Sequence, residues 1–166
     1  MTPLPVDLRI LDPRLAGWGF PSRGSALAAG IDLHACLAEP LVLPPGGAPV
    51  LVPAGFALRV GDPSFCAVIV PRSGLGHRGL ILGNGIGVVD ADYDGEVRLS
   101  LLNRNAADPG LPDDGTLVVA PGDRVAQLLF LPVGVPEFRL VQGFGTASAR
   151  GAGGFGSSGT AAEPAS

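Results

Sequence analysis

The sequence predicts an all-β fold, a sandwich, jelly roll or barrel made of many short strands. Three observations carry this. Breakers are abundant, with 26 Gly and 17 Pro in 166 residues, which leaves little room for long helices. Short apolar runs recur between those breakers at a regular cadence. Hydrophobic residues make up 46% of the chain and charged residues 16%, enough for one sizeable core with little charged surface.

The expected strands, in order, are Val6–Ile10, Ile31–Cys36, Val50–Val52, Phe56–Val60, Phe65–Val70, Gly87–Val89, Val97–Leu102, Leu117–Val119, Val125–Leu131 and Glu137–Val141. Turn residues punctuate them: Pro44-Pro45-Gly46-Gly47, Pro53-Ala54-Gly55, Gly61-Asp62-Pro63, Asp94-Gly95 and Pro121-Gly122-Asp123. Only Ser73–Arg78 reads as a short helical turn, weakened by Gly74 and Gly76. The polar stretch Asn105–Thr116 reads as a solvated loop. Its Asp108, Asp113 and Asp114 are candidate cation ligands. Residues 160–166 are expected to be disordered.

The formal net charge of −4 argues against broad nucleic-acid binding. All 11 basic residues are Arg. No Lys is present for a Walker-type phosphate loop or a Schiff base, so phosphate recognition falls to Arg and backbone N–H groups. Cys36 and Cys66 lie in apolar runs without metal spacing and read as buried thiols. No stretch approaches the ~20 apolar residues of a membrane span, and no signal peptide is visible. The expectation is a soluble cytoplasmic protein.

Several segments carry chemistry. The chain from Gly83 to Val97 reads as a β-hairpin whose turn holds Asp90, Asp92, Tyr93 and Asp94. Asp is common in turns, but that many carboxylates beside the only Tyr exceeds what a turn needs. Pro71-Arg72-Ser73-Gly74-Leu75 offers an Arg, a hydroxyl and Gly N–H groups at a helical start, a possible anion site; Ser73 also suits a helix cap. Asp32 lies within an apolar strand and needs a partner, as do Arg124 and Gln127 in Arg124-Val125-Ala126-Gln127. Arg150-Gly-Ala-Gly-Gly-Phe155-Gly-Ser-Ser-Gly159 could wrap an anion with backbone N–H groups. The same composition also suits a flexible tail.

Together, Ala29-Gly30-Ile31-Asp32-Leu33, Pro71–Leu75, Val88–Gly95, Arg124–Gln127 and Arg150–Gly159 resemble, in order, the motifs of the trimeric dUTP pyrophosphatase (dUTPase) family. The resemblance implies a jelly-roll-like (β-clip) subunit over residues 1–149, a Gly-rich lid at 150–159 and a homotrimer with interface active sites. It also implies hydrolysis of dUTP to dUMP and pyrophosphate with Mg²⁺, which would lower dUTP and supply dUMP for thymidylate synthesis. On that resemblance Asp90 is the general base. Tyr93 packs on the deoxyribose, and Asn84 with the backbone of Gly87, Val88 and Val89 reads uracil. Arg72, Ser73 and Gly74 hold phosphates, supported by Gln127. Arg150, Gly156 and Ser157 meet the γ-phosphate, Phe155 stacks on the base, and Arg98 touches substrate. No direct metal ligand is expected; Mg²⁺ rides on the triphosphate, and Asp32 reaches it through water or stays a buried structural pair. Asp92 is left a turn role, and His34 and His77 structural ones. Gly85, where the family usually carries a bulkier residue, and the long Asn105–Thr116 loop depart from the pattern. A dCTP deaminase of related fold and a dUTP-binding regulator are the alternatives.

Overall fold

A computed structural model describes residues 3–111, 113–146 and 151. The chain divides into two compact units, Met1–Gly134 and Val135–Ser166. The first unit holds every strand and helix among the described residues: β1 (Asp7–Ile10), α1 (Arg14–Gly17), β2 (Ile31–His34), β3 (Leu41–Leu43), β4 (Val50–Arg59), β5 (Phe65–Pro71), α2 (Ser73–His77), β6 (Leu80–Leu82), β7 (Gly87–Val89), β8 (Glu96–Asn103), β9 (Leu117–Val119) and β10 (Arg124–Pro132). The strands form two four-stranded sheets, ordered β1-β4-β8-β6 and β2-β10-β5-β7, and a two-stranded ribbon β3-β9. Every pairing is antiparallel.

Alternation in β8 explains how one sheet faces the core. Val97, Leu99, Leu101 and Asn103 are buried, while Glu96, Arg98, Ser100 and Leu102 are not. Val52, Phe56 and Leu58 of β4 join them, and Leu33, Ala67, Ile69, Val125, Ala126 and Leu128 come from the other sheet. Phe56 and Phe20 stack at 4.6 Å between ring centres. Asn103, a fully buried amide, is satisfied. Its Nδ2 donates to the carbonyls of Leu43 and Gly115, each at 2.9 Å, and its Oδ1 accepts from the Asn105 N–H at 3.0 Å. That network ties β3 and the Asn105–Thr116 loop to the end of β8.

Four differences from the sequence reading have physical causes. Pro53-Ala54-Gly55 is not a turn between strands but an irregularity inside β4, where the register with β8 shifts between Pro53 and Ala57. The Gly55 carbonyl accepts from Leu11 N–H at 2.8 Å and Asp12 N–H at 2.9 Å, so the kinked segment stays bonded. The expected hairpin is not a hairpin: β7 pairs with β5 and β8 with β4 and β6, so its arms belong to different sheets. Glu137–Val141 forms no strand; Phe138 and Leu140 are 87% and 99% exposed. A strand needs a ladder partner, and no pairing joins this segment to any named strand. Finally, β3, β6 and α1, of three or four residues each, lie in stretches to which the sequence reading assigned no element.

Both cysteines are free, Cys36 buried and Cys66 half-buried. Burial is the main cause pushing the Cys36 thiol up to about 12, which keeps it protonated and unreactive at neutral pH. Its sulfur packs where Gly55 would carry a side chain. Gly55 has φ +76°, and a Cβ there would strike Cys36 Sγ and lie 2.8 Å from Asp12 Cβ. Gly55→Ala is therefore expected to destabilise the fold by about 2–4 kcal/mol, from left-handed backbone strain and overpacking together. Thermal unfolding checks this; an unchanged Tm contradicts it.

Candidate active site at the β7–β8 crossing

Because β7 and β8 lie in different sheets, residues 90–95 must cross between them. The crossing is held at several points. Tyr93 N–H donates to the Asp90 carbonyl at 3.2 Å, and Gly61 N–H to the Ala91 carbonyl at 2.9 Å. Arg59 of β4 grips Asp94 at 2.7 Å; both side chains are exposed, so this pair contributes well under 1 kcal/mol and mainly restricts geometry. Tyr93 Oη donates to the Glu96 carbonyl at 2.9 Å. That folds the ring against Gly95, where a Cβ would lie 2.5 Å from the Tyr93 hydroxyl oxygen. A side chain at position 95 would push the ring from this place, and Tyr93 is 43% exposed.

This crossing forms one wall of a cavity of about 300 Å³. Asn84, Gly87, Val88, Val89, Asp90, Tyr93 and Arg98 all line it. These are the candidates that the sequence offered from this part of the chain. Ile69, Glu96 and Val97 complete the lining and were missed. Ile69 gave no polar signal; it is placed there by its register opposite Gly87. Glu96 was readable only as a strand start. Its Oε2 lies 3.7 Å from Arg98 Nε, so the two charges face one another on the cavity wall.

The backbone of the cavity is as informative as its side chains. β7 is the outermost strand of its sheet, with β5 on one side only. Its outer edge therefore presents N–H and C=O groups that no ladder uses. Asn84 is exposed, and its carbonyl accepts from Ile86 N–H at 2.8 Å. Asp90 is exposed at the end of β7. Asp90 and Val88 also line a larger cavity of about 820 Å³, so both stand on the wall common to the two spaces. Asp92 lines only the larger one.

Arg72, Ser73, Gly74 and Gln127 are not part of the smaller cavity's lining. Arg72 precedes α2 in extended conformation and occupies its cap position without a side-chain cap bond. Ser73 is the first residue of α2, one past the cap position, and is exposed. Gln127 lies opposite Val70 of β5 and Asp32 of β2 in the strand registers. Asp32 is 4% exposed and paired with Arg72 and Arg124, each at 3.1 Å. It is thus the buried ion pair the sequence required. His34 is buried, with Nδ1 2.8 Å from the Gly122 carbonyl and its ring 5.8 Å from Trp18, and His77 is exposed. Among the described residues no group of three His, Cys, Asp or Glu side chains is placed to hold a metal. In the Asn105–Thr116 loop, Asp108 instead accepts from the Gly110 N–H at 2.9 Å as a turn residue. Arg150, Phe155, Gly156, Ser157 and the tail 160–166 lie outside the described residues.

Comparison with known proteins gives a consistent result. The dUTPase family model matches residues 16–159. A deoxyuridine 5'-triphosphate nucleotidohydrolase of Paraburkholderia xenovorans is 48% identical over 155 residues, covering 93% of this chain and 97% of that protein. One of the same description from Cronobacter sakazakii is 46% identical over 156 residues, covering 93% and 96%. Among solved structures, the Staphylococcus bacteriophage 80alpha dUTPase with dUpNHpp superimposes with a TM-score of 0.79 at 24% identity, covering 94% of this chain and 99% of that one. A dUTPase variant from phage phi11 of S. aureus, described with a structural Mg(II) ion, gives a TM-score of 0.71 at 24% identity, covering 86% and 99%. The chain belongs to the dUTPase family.

Proposed function

We propose that the protein hydrolyses dUTP to dUMP and pyrophosphate in the cytoplasm, as a homotrimer with its sites between subunits. The observation that carries this is the small cavity at the β7–β8 crossing. Asn84, the β7 edge, Tyr93 and Asp90 meet there in one chain. Its volume of about 300 Å³ is at the low end for ligand sites, suited to a nucleoside with the phosphates outside.

The chemistry follows from these parts. Uracil lies along the open β7 edge, where backbone donors and acceptors match its O4–N3–O2 face and Asn84 adds a side-chain contact. Cytosine's amino group would meet the wrong partner there, and an unmatched buried polar group is costly. The Tyr93 ring, fixed on Gly95, packs against the deoxyribose and leaves no room for a 2'-hydroxyl. Asp90 takes a proton from a water as its oxygen attacks the α-phosphorus. The bond from that phosphorus to the bridging oxygen breaks, and pyrophosphate leaves with the electron pair. Arg72, Ser73 and Gly74 of a neighbouring subunit hold the phosphates with Gln127 behind them, since none of these lines the cavity within one chain. Arg98 contacts the nucleotide at the cavity mouth.

Mg²⁺ fits this site as a companion of the triphosphate rather than of a protein cage. Phosphate and water oxygens are its preferred ligands, and both Asp32 oxygens already face guanidinium groups. When bound, the ion neutralises phosphate charge. The C-terminal residues support assembly. Val135, Phe138, Leu140 and Phe144 are 81%, 87%, 99% and 92% exposed, an apolar series suited to burial on another copy. Beyond it, residues 150–159 act as the lid, with Arg150, Gly156 and Ser157 on the γ-phosphate and Phe155 on the base.

Three measurements test this reading. Asp90→Asn should fold and assemble but lose on the order of 10²–10⁴ in turnover; near-full pyrophosphate release from dUTP would remove Asp90 from its role. Incubated with dUTP, dCTP, dTTP or UTP plus Mg²⁺, the protein should release pyrophosphate from dUTP alone. Comparable release from UTP would sink the Tyr93 argument, and ammonia from dCTP would identify a deaminase. Truncation before Arg150 should abolish most hydrolysis while leaving the oligomer intact by light scattering; unchanged turnover would make residues 150–159 a linker.

A further inference from the structure

A charge cluster lies behind Arg72, apart from the cavity lining. Asp32 of β2 is its centre. Oδ2 accepts a hydrogen bond from Arg124 Nη1 at 3.1 Å, and Oδ1 lies 3.1 Å from Arg72 Nε. The carboxylate side chain is 6% exposed, whereas those of Arg72 and Arg124 are 28% and 52% exposed. The negative group is therefore inside and the positive groups reach outward. Two guanidiniums on one carboxylate leave one positive charge uncompensated within the cluster.

The fold builds this arrangement deliberately enough to trace. The sheet order β2-β10-β5 sets the three contributing strands side by side. A register shift in β10 between Arg124 and Ala126 breaks its alternation, so Val125 and Ala126 are both buried and Arg124 is exposed. Arg72 stands just past the end of β5, and its Nη1 donates to the Arg124 carbonyl at 3.1 Å. Its guanidinium is thus held from behind at two points. Nε is buried and points off-line for a hydrogen bond to the carboxylate beside it. Of five N–H donors on an arginine, three on Nη1 and Nη2 stay free to meet a ligand.

We propose that Asp32 is a positioning residue for phosphate recognition: it aims the Arg72 guanidinium outward and leaves a net cationic Arg72–Arg124 pair for the nucleotide's phosphates. This rests on the reading of Arg72 as a phosphate ligand. It is a role apart from a contact to Mg²⁺ through water, and the Mg²⁺ requirement separates the two.

The experiment is a double-mutant cycle on the full chain with dUTP, reading KM, kcat and the Mg²⁺ concentration for half-maximal activity. Asp32→Asn should raise KM about tenfold, with the Mg²⁺ requirement unmoved. On an Arg72→Ala background the same change should add less than about twofold, because the group it aims is gone. Equal losses on both backgrounds, or a loss that more Mg²⁺ restores, would overturn the proposal. Undiminished dUTP turnover in Arg72→Ala alone would instead sink the phosphate reading beneath it. Should Asp32→Asn not fold, Asp32→Glu keeps the charge but moves it by a methylene. It should raise KM several-fold with the Mg²⁺ requirement unmoved, and an unchanged KM would overturn the proposal.

Discussion

β7 and β8 are consecutive in sequence but hydrogen-bonded into opposite sheets. The chain must therefore bridge the sandwich over residues 90–95, and two packed sheets stand ~10 Å apart. A tight two-residue hairpin turn cannot do this. The bridge instead holds apart β7 and β8, and the space between them is the cavity. The edge position of β7 follows from the same topology, since its neighbour on the outer side would have been β8. The cavity, the exposed ladder groups and the place of Asp90 are all consequences of one crossing.

A second constraint is the burial of Asp32. A lone carboxylate in an apolar strand is costly, and removing either partner of such a pair costs more than the pair itself contributes. The chain meets this by drawing Arg124 and Arg72 onto it from β10 and from just beyond β5. On the proposed reading, stability and ligand chemistry are thereby coupled: the groups that neutralise the interior charge are the ones whose remaining donors reach outward. Arg is suited to this double duty because its planar fork can bond on two sides and keeps its charge at any physiological pH.

Much of this was legible in the residues, for identifiable reasons. Strands such as β5, β8 and β10 announced themselves by apolar runs between Gly and Pro. The cavity residues Asn84 to Arg98 were grouped because they fall within a single contiguous stretch. What stayed hidden was non-local. Nothing in Gly87–Val89 says that its partner is Phe65–Pro71 rather than Glu96–Asn103, so a hairpin was expected. Nothing near Asp94 points to Arg59, 35 positions away. Asn103 falls just past the expected strand Val97–Leu102 with nothing to single it out, yet it is a buried hub whose partners are 12 and 60 positions distant. Gly55 read as a turn because Pro and Gly together occur in turns and in strand irregularities alike.

The resting place of Tyr93 has a consequence for timing. Its hydroxyl is bonded to the backbone of its own crossing, and its ring lies on Gly95. The wall it makes lies within one subunit. On the proposed reading, a nucleotide with the wrong sugar is turned away at first encounter, while it can still dissociate freely. Selection on that reading precedes commitment, because the discriminating wall is already held in place by its own backbone.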